Sequence, residues 1–256
     1  MNRTGRMDIG ERAAGGPPSR GFAPLKLRRF TPVLAFCLCA LAPAAPRAGA
    51  AADPLRGSVV KSEKWTMDRV KNREIFDGDV SFRNADYNLK ADHAVYDRKP
   101  RLWTLRGSVY CLRKFPDGSN IELYCDNGTY DENREYAELF RGRDLIRMKH
   151  LAADGKALNG RCDRINADNA KGSMDFLGDF YMRTETMELF SANAFYSDRE
   201  RSFLIYGSTP VAAGNRDGHD FAMTGEKIKY FKDTGDVKLQ DHVAGWVKAV
   251  ETPARR

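Results

Sequence analysis

From residue 57 onward the 256-residue chain predicts an all-β domain. Helical periodicity is almost absent there. Short alternating runs are separated by turn signals: RNAD (83–86), DRKP (97–100), PDGS (116–119), DENRE (131–135), SDRER (197–201), GNRDGHD (214–220) and KDTGD (232–236). One motif also recurs. YNLKADHAVYD (87–97) is echoed by IELYCDNGTYD (121–131), LFSANAFYSD (189–198) and MTGEKIKYFKD (223–233), the signature of a repeat. Helix is expected only in the first 50 residues and near 149–157.

Each unit begins near a glycine, runs out as a strand, turns, and returns through the motif. The glycines are Gly78, Gly107, Gly142, Gly178 and Gly207, with Asp241 in the matching place at the end. The third copy, ALNGRCDRINAD (157–168), is the most degraded. Side chains alternate faces along a strand, so one face of the pattern can be read through every unit. That face holds Tyr87, Leu89, Ala91, Ile121, Leu123, Met187, Leu189, Phe221 and Met223 on the returning strands. Phe76, Val80, Phe82, Leu105, Val109, Phe140, Ile146, Phe180, Ile205 and Leu239 flank the glycines. Strict alternation assigns Lys90, Asp92, Glu122, Asp126, Glu188 and Lys229 to the opposite face, with Tyr96, Tyr130, Tyr196 and Tyr230 beside them.

Two readings of the apolar face stand side by side. One is a sandwich or solenoid core packed on itself. The other follows from composition: large Phe, Met, Leu and Tyr side chains face a row of small ones, Ala91, Cys125, Cys162, Ser191 and Gly225. Such a stack predicts a lengthwise apolar groove of the kind that binds acyl chains. The open ends of the stack would expose strand edges, which invite another strand to pair.

The first 50 residues differ in composition. A basic stretch ending KLRR (26–29) meets the apolar run FTPVLAFCLCALAPAA (30–45), then Ala48-Gly49-Ala50. These are the parts of a secretory leader, and an uncleaved N-terminal anchor is the alternative. Phe36 and Leu38 precede Cys37 and Cys39, which excludes a lipoprotein signal. The expected organisation is a leader at 1–50, one β domain at 57–247 and a tail at 248–256. The leader holds eight Lys/Arg and two acids, so the net charge of +7 leaves 42 − 8 = 34 basic against 35 − 2 = 33 acidic groups beyond it. A domain this balanced lacks the electrostatic footprint of a nucleic-acid binder.

Catalysis finds no constellation. His93, His150, His219 and His242 are scattered, and no zinc spacing, Gly-x-Ser-x-Gly elbow or phosphate loop is present. His93 falls on the inward phase as a lining or hydrogen-bonded residue. No cofactor, no metal and no enzyme activity are expected. Cys111 and Cys125 flank the FPDGSN turn (115–120) almost symmetrically and are a candidate structural disulfide, leaving Cys162 as a buried thiol.

The unit at 76–109 resembles the OstA-like repeat of the periplasmic lipopolysaccharide-transport proteins LptA, LptC and the N-terminal domain of LptD. Gly78-Asp79-Val80, Leu89 to Tyr96 and Leu105-Arg106-Gly107 carry the likeness, and Gly107-Ser108-Val109 with Cys125-Asp126-x-Gly128-x-Tyr130 is a second copy. It extends over roughly 60–247. The resemblance implies a twisted, slightly open β-jellyroll whose interior cradles the acyl chains of lipid A. It also implies end strands that join other Lpt jellyrolls, or further copies of this chain end to end, into a periplasmic bridge. Ala48-x-Ala50 and the multi-repeat length favour the soluble LptA-like form; KLRR before an apolar run keeps the inner-membrane-anchored LptC-like form open. A structural β-repeat protein with a closed core is the third reading.

Overall fold

The computed structural model describes residues 59–250 apart from Asn84, Asp86 and Pro116. The leader, its cleavage signal and tail residues 251–256 lie outside the described residues. What is described is all-β, as expected.

Eighteen strands follow one another as successive out-and-back passes. They are β1 (Val59–Lys61), β2 (Lys64–Asp68), β3 (Arg73–Arg83), β4 (Tyr87–Asp97), β5 (Leu102–Lys114), β6 (Asn120–Asp131), β7 (Tyr136–Phe140), β8 (Ile146–Leu151) and β9 (Ala157–Cys162). After them come β10 (Arg164–Asp168), β11 (Ser173–Arg183), β12 (Met187–Ser197), β13 (Ser202–Tyr206), β14 (Val211–Arg216), β15 (His219–Thr224), β16 (Lys227–Phe231), β17 (Val237–Gln240) and β18 (Ala244–Ala249). All pairings are antiparallel, and the register sorts them into two arms. Arm 1 runs β2-β3-β4-β5-β6-β7-β10-β11-β12-β13-β16-β17. Arm 2 runs β1-β3-β4-β5-β6-β8-β9-β11-β12-β14-β15-β18. The long strands cross from one arm to the other through a corner, giving an open jellyroll of repeated antiparallel pairs.

The corner explains the glycine period. Gly78-Asp79, Gly107-Ser108, Gly178-Asp179 and Gly207-Ser208 each place two successive residues at positive φ, and Asp241-His242 do so at the last corner. Glycine enters that region without strain, and short polar residues tolerate it best of the others. At each of these glycines a Cβ would collide with a side chain of the neighbouring pass: Glu63 at Gly78, Asp92 at Gly107, Asp163 at Gly178 and Asn193 at Gly207. These contacts give the acidic position of the repeat a role. Asp126 accepts the amide hydrogens of Gly142 and Arg143 at 2.9 Å, and Ser108 Oγ donates to Asp92 at 3.1 Å.

The returning strand bends at the same level, and its register slips between Lys90 and His93. Ala91 and Ala94, three apart, are therefore both buried. Strict alternation fails there. Tyr130, Tyr196 and Tyr230 are buried and Tyr96 packs against the core, so the tyrosines expected outside lie inside. His93 turns out of the core for the same reason and meets Asp77 at 2.5 Å. The row of small residues sits at the corner, where it lets two backbones close; a Cβ on Gly225 would meet the carbonyls of Gln240 and Asp241.

Two further expectations change. The segment near 149–157 is the β8–β9 hairpin rather than helix, so the degraded third copy keeps the common topology. Residues 244–249 form β18, paired along its length with β15, so the domain continues past 247.

Replacing Gly178 by Ala should cost about 2–4 kcal/mol, because positive-φ strain adds to a clash with Asp163. Gly118 also has positive φ but open space around it, so Gly118→Ala should cost only about 1 kcal/mol. Urea midpoints measure both; equal losses would mean the corner contact contributes nothing.

Candidate functional site

Cross-strand register aligns the inner faces into continuous rows. In arm 1 one row reads Trp65, Phe76, Ala94, Leu105, Gly128, Leu139, Ile165, Phe176, Ala194, Ile205, Ile228 and Leu239. In arm 2 the matching row is Val60, Phe82, Leu89, Cys111, Leu123, Met148, Gly160, Met182, Leu189, Ala212, Met223 and Gly245. The two arms face each other across this apolar space. Phe82 of arm 2 meets Trp103 of arm 1 edge-on at 5.1 Å, and Phe176 lies 5.6 Å from Phe180.

The structure brings the expected lining together with one exception. Phe76, Val80, Phe82, Ala91, Leu105, Val109, Ile121, Leu123, Ile146, Phe180, Met187, Leu189 and Ile205 are buried in one cluster. Leu89, Phe221 and Leu239 are partly buried against it, and Tyr87 and Met223, also half-buried, occupy the inward phase nearer the ends. Phe140 is the exception. It points outward under the Arg164 guanidinium at 4.9 Å, while Leu139 takes the inward place.

Alternation missed an aromatic row nearer the tips of arm 1: Tyr96, Trp103, Tyr130, Tyr196, Phe203 and Tyr230. Tyr96 and Trp103 stack at 4.5 Å, and Tyr196 and Phe203 lie 4.7 Å apart. Their polar ends are satisfied at the arm tip. Tyr96 Oη and Trp103 Nε1 donate to the buried Glu132 carboxylate, which also pairs with Arg101 at 2.8 Å. Tyr196 Oη donates to Asp198 at 3.2 Å, beside the Arg201–Asp233 ion pair. The signal was present as the recurrent Ala-Asp-x-Ala-x-Tyr spacing, but only a bulge puts its Tyr on the same face as its first Ala.

Opposite the corner the arm tips enclose a cavity of ≈ 550 Å³, the mouth of the interior. Leu158, Met187 and Tyr230 reach it from the core, and Lys156, Arg201, Arg216 and Lys232 bring positive charge. Asp117, Asp154, Glu185 and Asp233 bring negative charge. Three of these cations are already paired, Lys156 with Asp154 at 2.7 Å, Arg201 with Asp233 and Arg216 with Asp217 at 3.8 Å. Burial, then the nearby Arg201, pushes the Lys232 ammonium below its ordinary value against the pull of Asp233, Asp198 and Asp117. His150 is 6 % exposed, and its Nε2 has no hydrogen-bond partner. Burial, aided by Lys232, pushes the His150 imidazole down to about 4.

Cys111 stands opposite Leu123, and Cys125 opposite Val109. The cysteines are thus diagonal neighbours, with Cα atoms about 7–8 Å apart by sheet geometry, beyond disulfide reach, and no bond joins them. The expected bridge is not formed. Burial pushes the Cys125 and Cys162 thiols up to about 12, the reverse of an activated nucleophile. His219 and His242 lie exposed on the last passes. Among the described residues no cluster of metal-ligating side chains forms.

No protein-family model matches the chain, and no curated protein matches it. Among solved structures it is similar to LptH of Pseudomonas aeruginosa, the LptA-homologous periplasmic component of the lipopolysaccharide transport device. The identity is 10%, the match covers 75% of this chain and 94% of that one, and the TM-score is 0.20. An overlap that loose carries no weight; the fold rests on the strand register above.

Protonation of His150 should make stability fall with pH. Its ordinary value is 6.5 and its folded value about 4, so the unfolded chain binds the extra proton between them. Stability is complete above pH 6.5 and declines toward pH 4, by about 3 kcal/mol at most. Urea midpoints across that range should flatten in His150→Gln; an unchanged slope would remove His150 as the cause.

Proposed function

We propose that this chain is a non-catalytic, periplasmic lipopolysaccharide-binding protein. It holds lipid A acyl chains between its two arms and takes part in bridging the inner and outer membranes. One observation carries the reading. An apolar interior continues through every pass and meets, between the arm tips, a polar cavity that bears Lys156, Arg201, Arg216 and Lys232 beside the carboxylates of Asp117, Asp154, Glu185 and Asp233. An amphiphile with acyl chains and phosphates has that division of character. Each CH₂ moved from water into the interior gains roughly 0.8 kcal/mol, and a phosphate at the mouth can take charge-assisted hydrogen bonds from arginine or lysine.

Entry requires the arms to part at their tips. The corner is the natural hinge, because strand pairing runs within each arm and only side-chain packing joins the arms away from it. The half-buried Leu89, Phe221, Met223 and Leu239 lie on the passes nearest the two ends, where packing is loosest. Bridging would use the edge strands. β18 is exposed throughout, with Trp246 and Val247 each 56 % exposed. β1 and β2 form the opposite edge, so a neighbouring jellyroll or a second copy could add a strand at either end. The LptA-like soluble form and the LptC-like anchored form differ only in the fate of the leader, which the mass of the mature N-terminus reads directly.

A structural repeat protein with a closed core is the second reading. It is favoured by Ile121, Leu123, Met182 and Leu189, all with 0 % exposure. Occupancy of the interior separates the two. A photocrosslinking residue at Leu89, Leu123 or Met223 should yield a lipopolysaccharide adduct in growing cells, and one at the outward Lys90 should not. Absence of adducts at all three interior sites, or equal labelling at Lys90, overturns the carrier reading.

A further inference from the structure

The solvent face of arm 2 carries a second row, as continuous as the inner ones. Tyr110, Tyr124, Arg147, Arg161, Tyr181 and Phe190 stand directly opposite one another across β5, β6, β8, β9, β11 and β12. The order is pseudo-symmetric: two aromatics, two arginines, two aromatics. Tyr110 and Tyr124 are 5.0 Å apart, and Tyr181 and Phe190 5.1 Å. Arg147 lies over the Tyr124 ring at 5.1 Å and Arg161 over the Tyr181 ring at 4.7 Å. Tyr124 and Phe190 are each 37 % exposed.

Ring stacking stabilises each arginine singly but gives no reason for two like charges to stand opposite each other. Like charges directly opposite on a sheet repel, and among the described residues neither Arg147 nor Arg161 has an ion-pair partner. The nearby carboxylates are engaged elsewhere: Glu122 accepts from Tyr124 Oη at 3.2 Å, and Glu188 accepts from Tyr181 Oη at 3.1 Å while facing Arg183. A guanidinium stacked on a ring keeps its edge free for paired hydrogen bonds to a phosphate or carboxylate. Beside the row, toward the corner, lies a shallow cavity of ≈ 460 Å³. Arg161, Tyr181 and Phe190 line it together with Ser208, Thr209 and the Asp179 carboxylate.

We propose that this outer row and its cavity form a binding shelf for a phosphorylated saccharide. The exposed ring of Phe190 offers a platform for the CH face of a sugar while Tyr181 braces Arg161, and Ser208 and Thr209 offer hydroxyls to its hydroxyls. Arg147 and Arg161 hold the phosphate. The row is one residue wide and its Arg161, Tyr181 and Phe190 border a concavity, which suits a small anionic sugar better than a flat lipid surface. Two arginines, at about 1 kcal/mol each on an anionic membrane, would hold a bilayer weakly. The shelf stands on outer-face geometry and does not depend on acyl chains entering the interior.

Calorimetric titration of the full chain with a lipid-free oligosaccharide carrying phosphomonoesters tests the shelf. Saturable binding is expected, weakened at least about tenfold in R147A/R161A, by phosphatase treatment of the sugar, and in F190S. These side chains are outside the core, so thermal melting should stay near that of the parent chain. No binding, or binding unchanged in both variants, overturns the proposal. So does equal binding of inorganic phosphate, which would make this a plain anion site, or equal binding of phosphatidylglycerol vesicles, which would make it a charged surface. Crosslinking at Leu123 reports the interior separately and should be unaffected by R147A/R161A.

Discussion

The corner, two successive residues at positive φ beneath a neighbouring side chain, is the constraint on which the rest depends. A strand cannot turn from one arm into the other while keeping its inner face inward unless the backbone takes up an irregularity. Glycine with Asp or Ser supplies one at Gly78-Asp79, Gly107-Ser108, Gly178-Asp179 and Gly207-Ser208. The acidic or amide side chain of the adjacent pass fills the space a Cβ would occupy; at Gly142 the same Asp126 accepts the amide hydrogen that the interrupted ladder releases, and at Gly178, where Asp163 fills the space, Asn193 Oδ1 accepts it. Repeating that device along the chain stacks the passes, and stacking aligns the interior rows.

From the corner follow two arms joined at one side and a cavity between their tips at the other. Within each arm the passes are held by backbone hydrogen bonds; between arms they are held by ring and aliphatic contacts such as Phe82 on Trp103. The second kind is non-directional and can be replaced by a ligand of similar character. An interior sealed at Leu123 and Ile121 is thus compatible with a carrier, since acyl chains would exchange one set of apolar contacts for another. Tyr96 and Tyr196 show how the tip of arm 1 stays ordered, with hydroxyls tied to Glu132 and Asp198.

The repeat, the strand pairs and nearly all of the inward residues were legible in the sequence, because period-2 alternation and turn chemistry are local properties. The errors share a cause. Tyr96, Tyr130, Tyr196, Tyr230 and His93 all follow the bulge at Ala91-Asp92 and its counterparts, where one residue of slippage reverses every later side chain. Phe140 was misplaced by a neighbouring irregularity, the 141–145 insertion between β7 and β8. The mouth and the outer shelf were not legible. Asp117, His150, Arg201 and Lys232 belong to different passes, as do Arg147, Arg161 and Phe190, and no spacing within one strand relates them.

By itself the sequence determined a repeated β chain, charge-balanced beyond its first 50 residues, with glycine corners and an apolar face. Those features rest on composition and on nearest-neighbour backbone sterics. Only the tertiary structure decided which side of each bulge faces inward, that Cys111 and Cys125 are diagonal, and that cations from distant passes meet at one mouth. Those outcomes depend on hydrogen-bond register between strands, which is settled when whole passes stack and is not written in any one of them.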